Sequence, residues 1–128
     1  LALGLIAAGV LVPLTVRRAR RIRVSDRPVL EAIEALALTA TLVVISFATS
    51  YYTLGTTTDQ LPGIETKIDA LYFTVVTLAT VGYGDITPTG QGARALVTVQ
   101  ILLNVTLIAT SFRLLSRLAG QREAERGI

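Results

Sequence analysis

The feature that most constrains this chain is an apolar stretch that is too short. Residues 67–79 are almost uncharged after Asp69, yet as a helix they reach only about 20 Å at 1.5 Å per residue. Crossing a bilayer takes about 20 residues. The stretch lies between two that are long enough. Residues 29–52 amount to about 36 Å of helix and residues 91–118 to about 42 Å. The first carries only Glu31 and Glu34, both in its opening turns, where the helix dipole favours carboxylates. The second is charged near its ends, at Arg94, Arg113 and Arg117. A chain with 52% hydrophobic and 16% charged residues is short of polar surface for life in water, where about 25% charge is usual. The expected order is spanning helix, half-helix, loop, spanning helix.

Charge orients this arrangement. Arg17, Arg18, Arg20, Arg21, Arg23 and Arg27 precede the first span against Asp26 alone, and Arg113, Arg117, Arg122 and Arg126 close the second. The intervening segment carries Asp59, Glu65, Asp69 and Asp85. Arginines flanking apolar helices mark the cytoplasmic side, so both ends of the two-span unit are expected inside and its middle outside. A basic cluster could serve nucleic acid, but these arginines abut apolar runs and have no interleaved aromatics, so no nucleic-acid partner is expected. The chain has no Cys and no His, which removes disulfides, thiol nucleophiles, zinc ribbons and the commonest general base. No nucleophile has a base nearby, and an enzyme is not expected.

Residues 1–16, with Pro13, are read as the end of a further membrane helix, or as an interfacial helix running into the arginine cluster of an N-terminal segment 1–27. Pro28 suits a first helical turn. Tyr51 and Tyr52, at the far end of the outer helix, stand where an interfacial aromatic belt would. Residues 53–67, with Gly55, Pro62 and Gly63, read as an exposed loop. Thr66 and Asp69 have the spacing of a capping box that opens the half-helix. Residues 120–128 are expected as a short cytoplasmic tail.

The half-helix runs straight into Thr80-Val81-Gly82-Tyr83-Gly84-Asp85. Non-helical backbone at membrane depth is tolerated only where it is buried in protein or lines a wet cavity. Gly82 and Gly84 accept positive φ. Alternating them with ordinary residues lets successive carbonyls point one way, which a strand forbids. Thr80, Val81, Gly82 and Tyr83 would then offer a column of oxygens, with the Thr80 hydroxyl below. Four copies around an axis would make cages that replace an ion's hydration shell. A tight turn would use the same glycines, but the flanking helices weigh against it.

This string resembles the selectivity filter of potassium channels, and residues 28–119 resemble the two-helix bacterial pore unit. The resemblance implies an all-α membrane protein: outer helix 29–52, pore helix 67–79, filter 80–85 and inner helix 91–118, assembled as a homotetramer. It implies K⁺ as the permeant ion, held at Thr80, Val81, Gly82 and Tyr83 with Gly84 completing the filter, in the cell membrane and without a cofactor. Tyr83 stands where sodium-conducting relatives carry an acidic residue, and its side chain should point away from the ions.

Several positions depart from the pattern. Tyr72 and Phe73 replace two tryptophans that clasp the filter tyrosine from behind. Val76 replaces a glutamate, leaving Asp85 ionised or bonded to Tyr72. Ala79 replaces a threonine. Asn104 stands at the hinge glycine's place. With Thr106 and Thr110 it would line the cavity, or else make an interhelical hydrogen bond. Arg113 and Arg117, one turn apart, are expected to meet anionic lipid headgroups. No helix carries the regularly spaced arginines of a voltage sensor. A non-conducting regulatory subunit and a weakly selective K⁺/Na⁺ channel stand as the other readings.

Overall fold

A computed structural model describes residues 27–127, together with Val10, Leu14 and Arg17, which are helical and exposed. The expected N-terminal helix and most of the arginine cluster lie outside the described residues. Three helices follow: α1, Pro28–Thr57; α2, Lys67–Leu78; and α3, Gln91–Arg126. There is no strand among the described residues. Both α1 and α3 are long and apolar enough to span a membrane, and only 17% and 22% of their most apolar windows are buried within the chain. A helix at the centre of a soluble protein would be far more covered, so the apolar faces of α1 and α3 meet lipid or other subunits.

The first helix begins with proline in its first turn and Glu31 close behind. It runs to Thr57, five residues beyond the end expected at Tyr52. Two features extend it. Thr53, Thr56 and Thr57 turn their hydroxyls back on helix carbonyls, Thr53 to Thr49 O at 3.0 Å and Thr57 to Thr53 O at 2.6 Å, so these polar side chains are satisfied without unwinding the backbone. Gly55, which suggested a loop, instead gives room to the connection that follows. A Cβ at Gly55 would stand 2.8 Å from Ile64 Cβ and 3.0 Å from Ile64 O.

The connection is not the wholly exposed loop expected either. Leu61 and Ile64 are buried with Val43, Phe47 and Tyr51 of α1, Ala70 and Phe73 of α2, and Ala93, Leu96 and Leu103 of α3. Tyr51 is likewise not a belt residue. It is fully buried, edge-on to Phe73 at 4.9 Å and tilted against Phe47 at 6.0 Å. With the helix running on past it, Tyr51 sits level with α2 rather than at the outer end.

The second helix opens as its capping box requires. Asp69 N donates to Thr66 Oγ1 at 3.2 Å, and Asp69 Oδ2 accepts from Thr66 N and Thr66 Oγ1, each at 2.7 Å, and from Glu65 N at 3.2 Å. These bonds, the side-chain one first, hold the Asp69 carboxyl below the usual carboxylate range. Twelve residues give α2 about 18 Å, so it enters the membrane and stops.

The third helix is capped from across the molecule. Gln60 O accepts from Thr89 N at 2.9 Å and Gly90 N at 3.3 Å, while its side-chain Oε1 accepts from Ala93 N at 3.1 Å. Gln60 thereby supplies the N-cap acceptor that Gly90 lacks. The helix continues to Arg126, eight residues past Leu118, so most of the expected tail is helical. At 36 residues, or about 54 Å, it is longer than a hydrocarbon core is thick and projects on the arginine-rich side.

Candidate functional site: a glycine-alternated segment hung from the short helix

Where α2 ends, its last carbonyls are taken up one by one. Val75 O accepts from Ala79 N at 2.8 Å, Val76 O from Val81 N at 3.0 Å and Gly82 N at 3.4 Å, and Thr77 O from Thr80 N at 3.1 Å. A helix end normally leaves four carbonyls unmet; here the departing segment supplies donors to three of them and is thereby pinned. The half-buried Val76 meets the segment through its backbone carbonyl.

Beyond this point the backbone alternates. Thr80, Gly82 and Gly84 have φ of +59°, +57° and +77°, while Val81 and Tyr83 between them do not. Gly82 and Gly84 take this conformation at little cost, but Thr80 is β-branched and is held there against roughly 1–3 kcal/mol of strain. Sequence gives no sign of the Thr80 conformation. It follows from the bonds on either side, which commit Thr80 N to Thr77 and Val81 N to Val76. Residues 79–85 are all exposed, Tyr83 at 70% and Val81 at 52%. Neither at Gly82 nor at Gly84 does any atom lie within 4 Å of the place a Cβ would take.

One bond braces its outer end. Tyr72 Oη donates to Asp85 Oδ2 at 2.7 Å, and this hydrogen bond, ahead of the other causes, raises the Tyr72 hydroxyl above its ordinary pKa. Phe73 is turned the other way, into the three-helix core against Tyr51. The pair expected behind the segment is therefore divided between two tasks.

On α3, Asn104 is 2% exposed and its Nδ2 donates to Thr77 O at 3.4 Å, the interhelical geometry of the two considered. Thr106 and Thr110 bond their own helix, to Leu102 O and Thr106 O at 2.8 Å. Thr106 is exposed and Thr110 half-buried. Arg113 and Arg117 are exposed one turn apart near the inner end. Gln100 escaped the sequence reading. It is fully buried, accepting from Tyr51 Oη at 2.6 Å and donating from Nε2 to Thr74 O at 3.1 Å. The cost of an amide inside a spanning helix was the signal that could have found it.

Two spanning helices enclosing a re-entrant helix, with an alternating oxygen-bearing segment at its tip, define a pore-loop membrane protein. A family model described as "Ion channel" matches residues 39–121, and the chain belongs to that family. Among curated proteins it is similar to Two-pore potassium channel 1 of Arabidopsis thaliana, 40% identical over 83 residues, covering 59% of this chain and 22% of that protein. It is 44% identical over 50 residues to Voltage-gated potassium channel Kch of Escherichia coli, covering 39% of this chain and 12% of the other. It is 33% identical over 84 residues to the Hyperpolarization-activated voltage-gated potassium channel of Methanocaldococcus jannaschii, covering 66% and 40% respectively. The chain thus spans well under half the length of each of these relatives.

Proposed function

We propose that this chain is the pore-forming unit of a potassium-selective channel, conducting K⁺ passively through a filter pooled from four copies. The observation that carries the reading is the alternation of left-handed backbone at Thr80, Gly82 and Gly84 in an exposed segment pinned to the end of α2. Such alternation turns the carbonyls of residues 80–83 toward one side, and hard oxygens on one side suit a dehydrated monovalent cation. One chain offers one wall. The exposure of the segment and of the apolar residues Leu71 and Val75 on α2 supports closure by further copies, with cyclic symmetry the expected solution. The names of the relatives point to the same ion.

The arginine bias supports a cytoplasmic position for the inner ends of α1 and α3, in the cell membrane. Arg113 and Arg117 would there meet anionic headgroups. The deciding experiment is reconstitution of the purified chain in liposomes under opposed K⁺ and Na⁺ gradients, with barium as blocker. Barium-sensitive flux with K⁺ favoured is expected. Equal Na⁺ flux would make it a weakly selective cation channel, and no flux from an assembled oligomer would make it a non-conducting subunit. Arg113→Ala with Arg117→Ala should remove any dependence of flux on anionic lipid.

A further inference from the structure

The polar residues buried between α2 and α3 form a ladder that the pore reading does not require. Gln100 and Asn104 lie one turn apart on α3, and both donate amide hydrogens to backbone carbonyls of α2, at Thr74 O and Thr77 O, themselves one turn apart. Apolar contacts between helices can slide, whereas donor–acceptor pairs fix a register, and amides in a spanning helix are retained only where they find partners.

The two rungs differ. Gln100 is held from both sides, by Tyr51 of α1 at 2.6 Å and Thr74 of α2 at 3.1 Å, and it is fully buried. Asn104 has a single long bond of 3.4 Å, and its Oδ1 is buried with no partner among the described residues. Its acceptor is also the carbonyl that receives Thr80 N at 3.1 Å. A carbonyl oxygen has two lone pairs. At Thr77 one serves the inner helix and the other serves the strained residue that begins the filter. A displacement of α3 at this level is therefore felt at Thr80 through one shared oxygen.

We propose that Gln100 and Asn104 are positioning residues for ion selection, the first fixing the level of the α2 C-terminal turn against α3 and the second transmitting the position of α3 to the Thr80 ring through Thr77 O. This rests on the channel reading above. It is tested on the full chain in liposomes with Asn104→Leu and Asn104→Val, which both remove the donor, and with Gln100→Leu. Thr98→Val is the control, because the Thr98 hydroxyl bonds only its own helix. Two quantities are read: amide hydrogen exchange over residues 79–82 and the K⁺/Na⁺ flux ratio. Loss of one hydrogen bond corresponds to about a fivefold effect, so both Asn104 variants should speed exchange at Thr80 and lower the flux ratio by about that factor. Gln100→Leu, which strips two bonds, should do more, and Thr98→Val should do neither. Unchanged exchange at Thr80 in Asn104→Leu overturns the proposal. So does an unchanged flux ratio in an assembled Asn104→Leu channel, because the amides would then only hold helices together. Should Gln100→Leu fail to assemble, the Asn104 variants decide. Absence of K⁺ flux in the unsubstituted protein would overturn the channel reading itself, a result separable because the exchange comparison does not depend on flux.

Discussion

The three-helix core and the segment 79–85 are built on opposite terms. In the core, each large side chain is covered within the chain: Phe47, Tyr51 and Leu96 are essentially inaccessible, and the Tyr51 hydroxyl finds Gln100. In the segment, the backbone is bent into conformations that cost energy, and the side chains stand open. One region is complete in a single copy; the other is shaped by the chain but left open along its length. Substitutions in the core should therefore be read in stability, and substitutions in the segment in ion flux.

Gly82→Ala is the strongest way to break that contrast. Nothing lies within 4 Å of a Cβ at Gly82, so the substitution is sterically free yet forces an alanine to φ of +57°. The strain, about 1–2 kcal/mol per residue, is relieved if the exposed segment changes shape, so in the four-copy filter proposed above K⁺ flux should vanish while the melting temperature of the purified chain barely moves. Gly55→Ala should do the reverse. Its Cβ would press on Ile64 Cβ and O, a close contact worth about 1–3 kcal/mol, visible in thermal melting with the K⁺/Na⁺ ratio kept in what remains folded. Tyr51→Phe keeps the ring contacts with Phe47 and Phe73 but strips a donor from buried Gln100. A loss of about 1–2 kcal/mol is expected, measured by denaturant titration in detergent.

The smallest effects lie at Tyr72, midway along α2, and at the cap that opens it. Tyr72→Phe removes the bond to Asp85 and should shorten conducting episodes in single-channel records about two- to fivefold. Because the Tyr72 hydroxyl is raised, its protonated form is favoured by folding. That contribution is full below the ordinary tyrosine range and fades as pH climbs through the raised value, so Tyr72→Phe should flatten an alkaline loss of flux. Asp69 runs the other way. Its carboxyl is lowered, so the cap's contribution is full above the ordinary carboxylate range and disappears as pH falls through the lowered value. Thermal melting between neutral and acid pH should show a slope that Asp69→Asn reduces.

What could be read from the sequence follows the range of the forces involved. Pro28 at the start of α1, the Thr66–Asp69 cap and the glycines at 82 and 84 act within a few residues, and each left a local mark. The extension of α1 to Thr57 was hidden because threonines and Gly55 signal a loop unless the packing of Ile64 is known. Tyr51 looked like half of an aromatic belt, because its partners Phe73 and Gln100 are distant in sequence. The left-handed Thr80 had no mark at all. A β-branched residue argues against that conformation, and only the commitments of Thr77 O and Val76 O impose it.

The brevity of α2 has an electrical consequence. Its twelve residues reach about 18 Å into a hydrocarbon layer about 30 Å thick, and the segment turns back from its tip toward the outer side, where Asp85 meets Tyr72. In the channel proposed above, water on either side of the segment conducts, so the transmembrane voltage concentrates over the residues from Thr80 to Tyr83 rather than over the whole layer. An ion crossing them would gain about 2.3 kcal/mol per 100 mV within that short stretch.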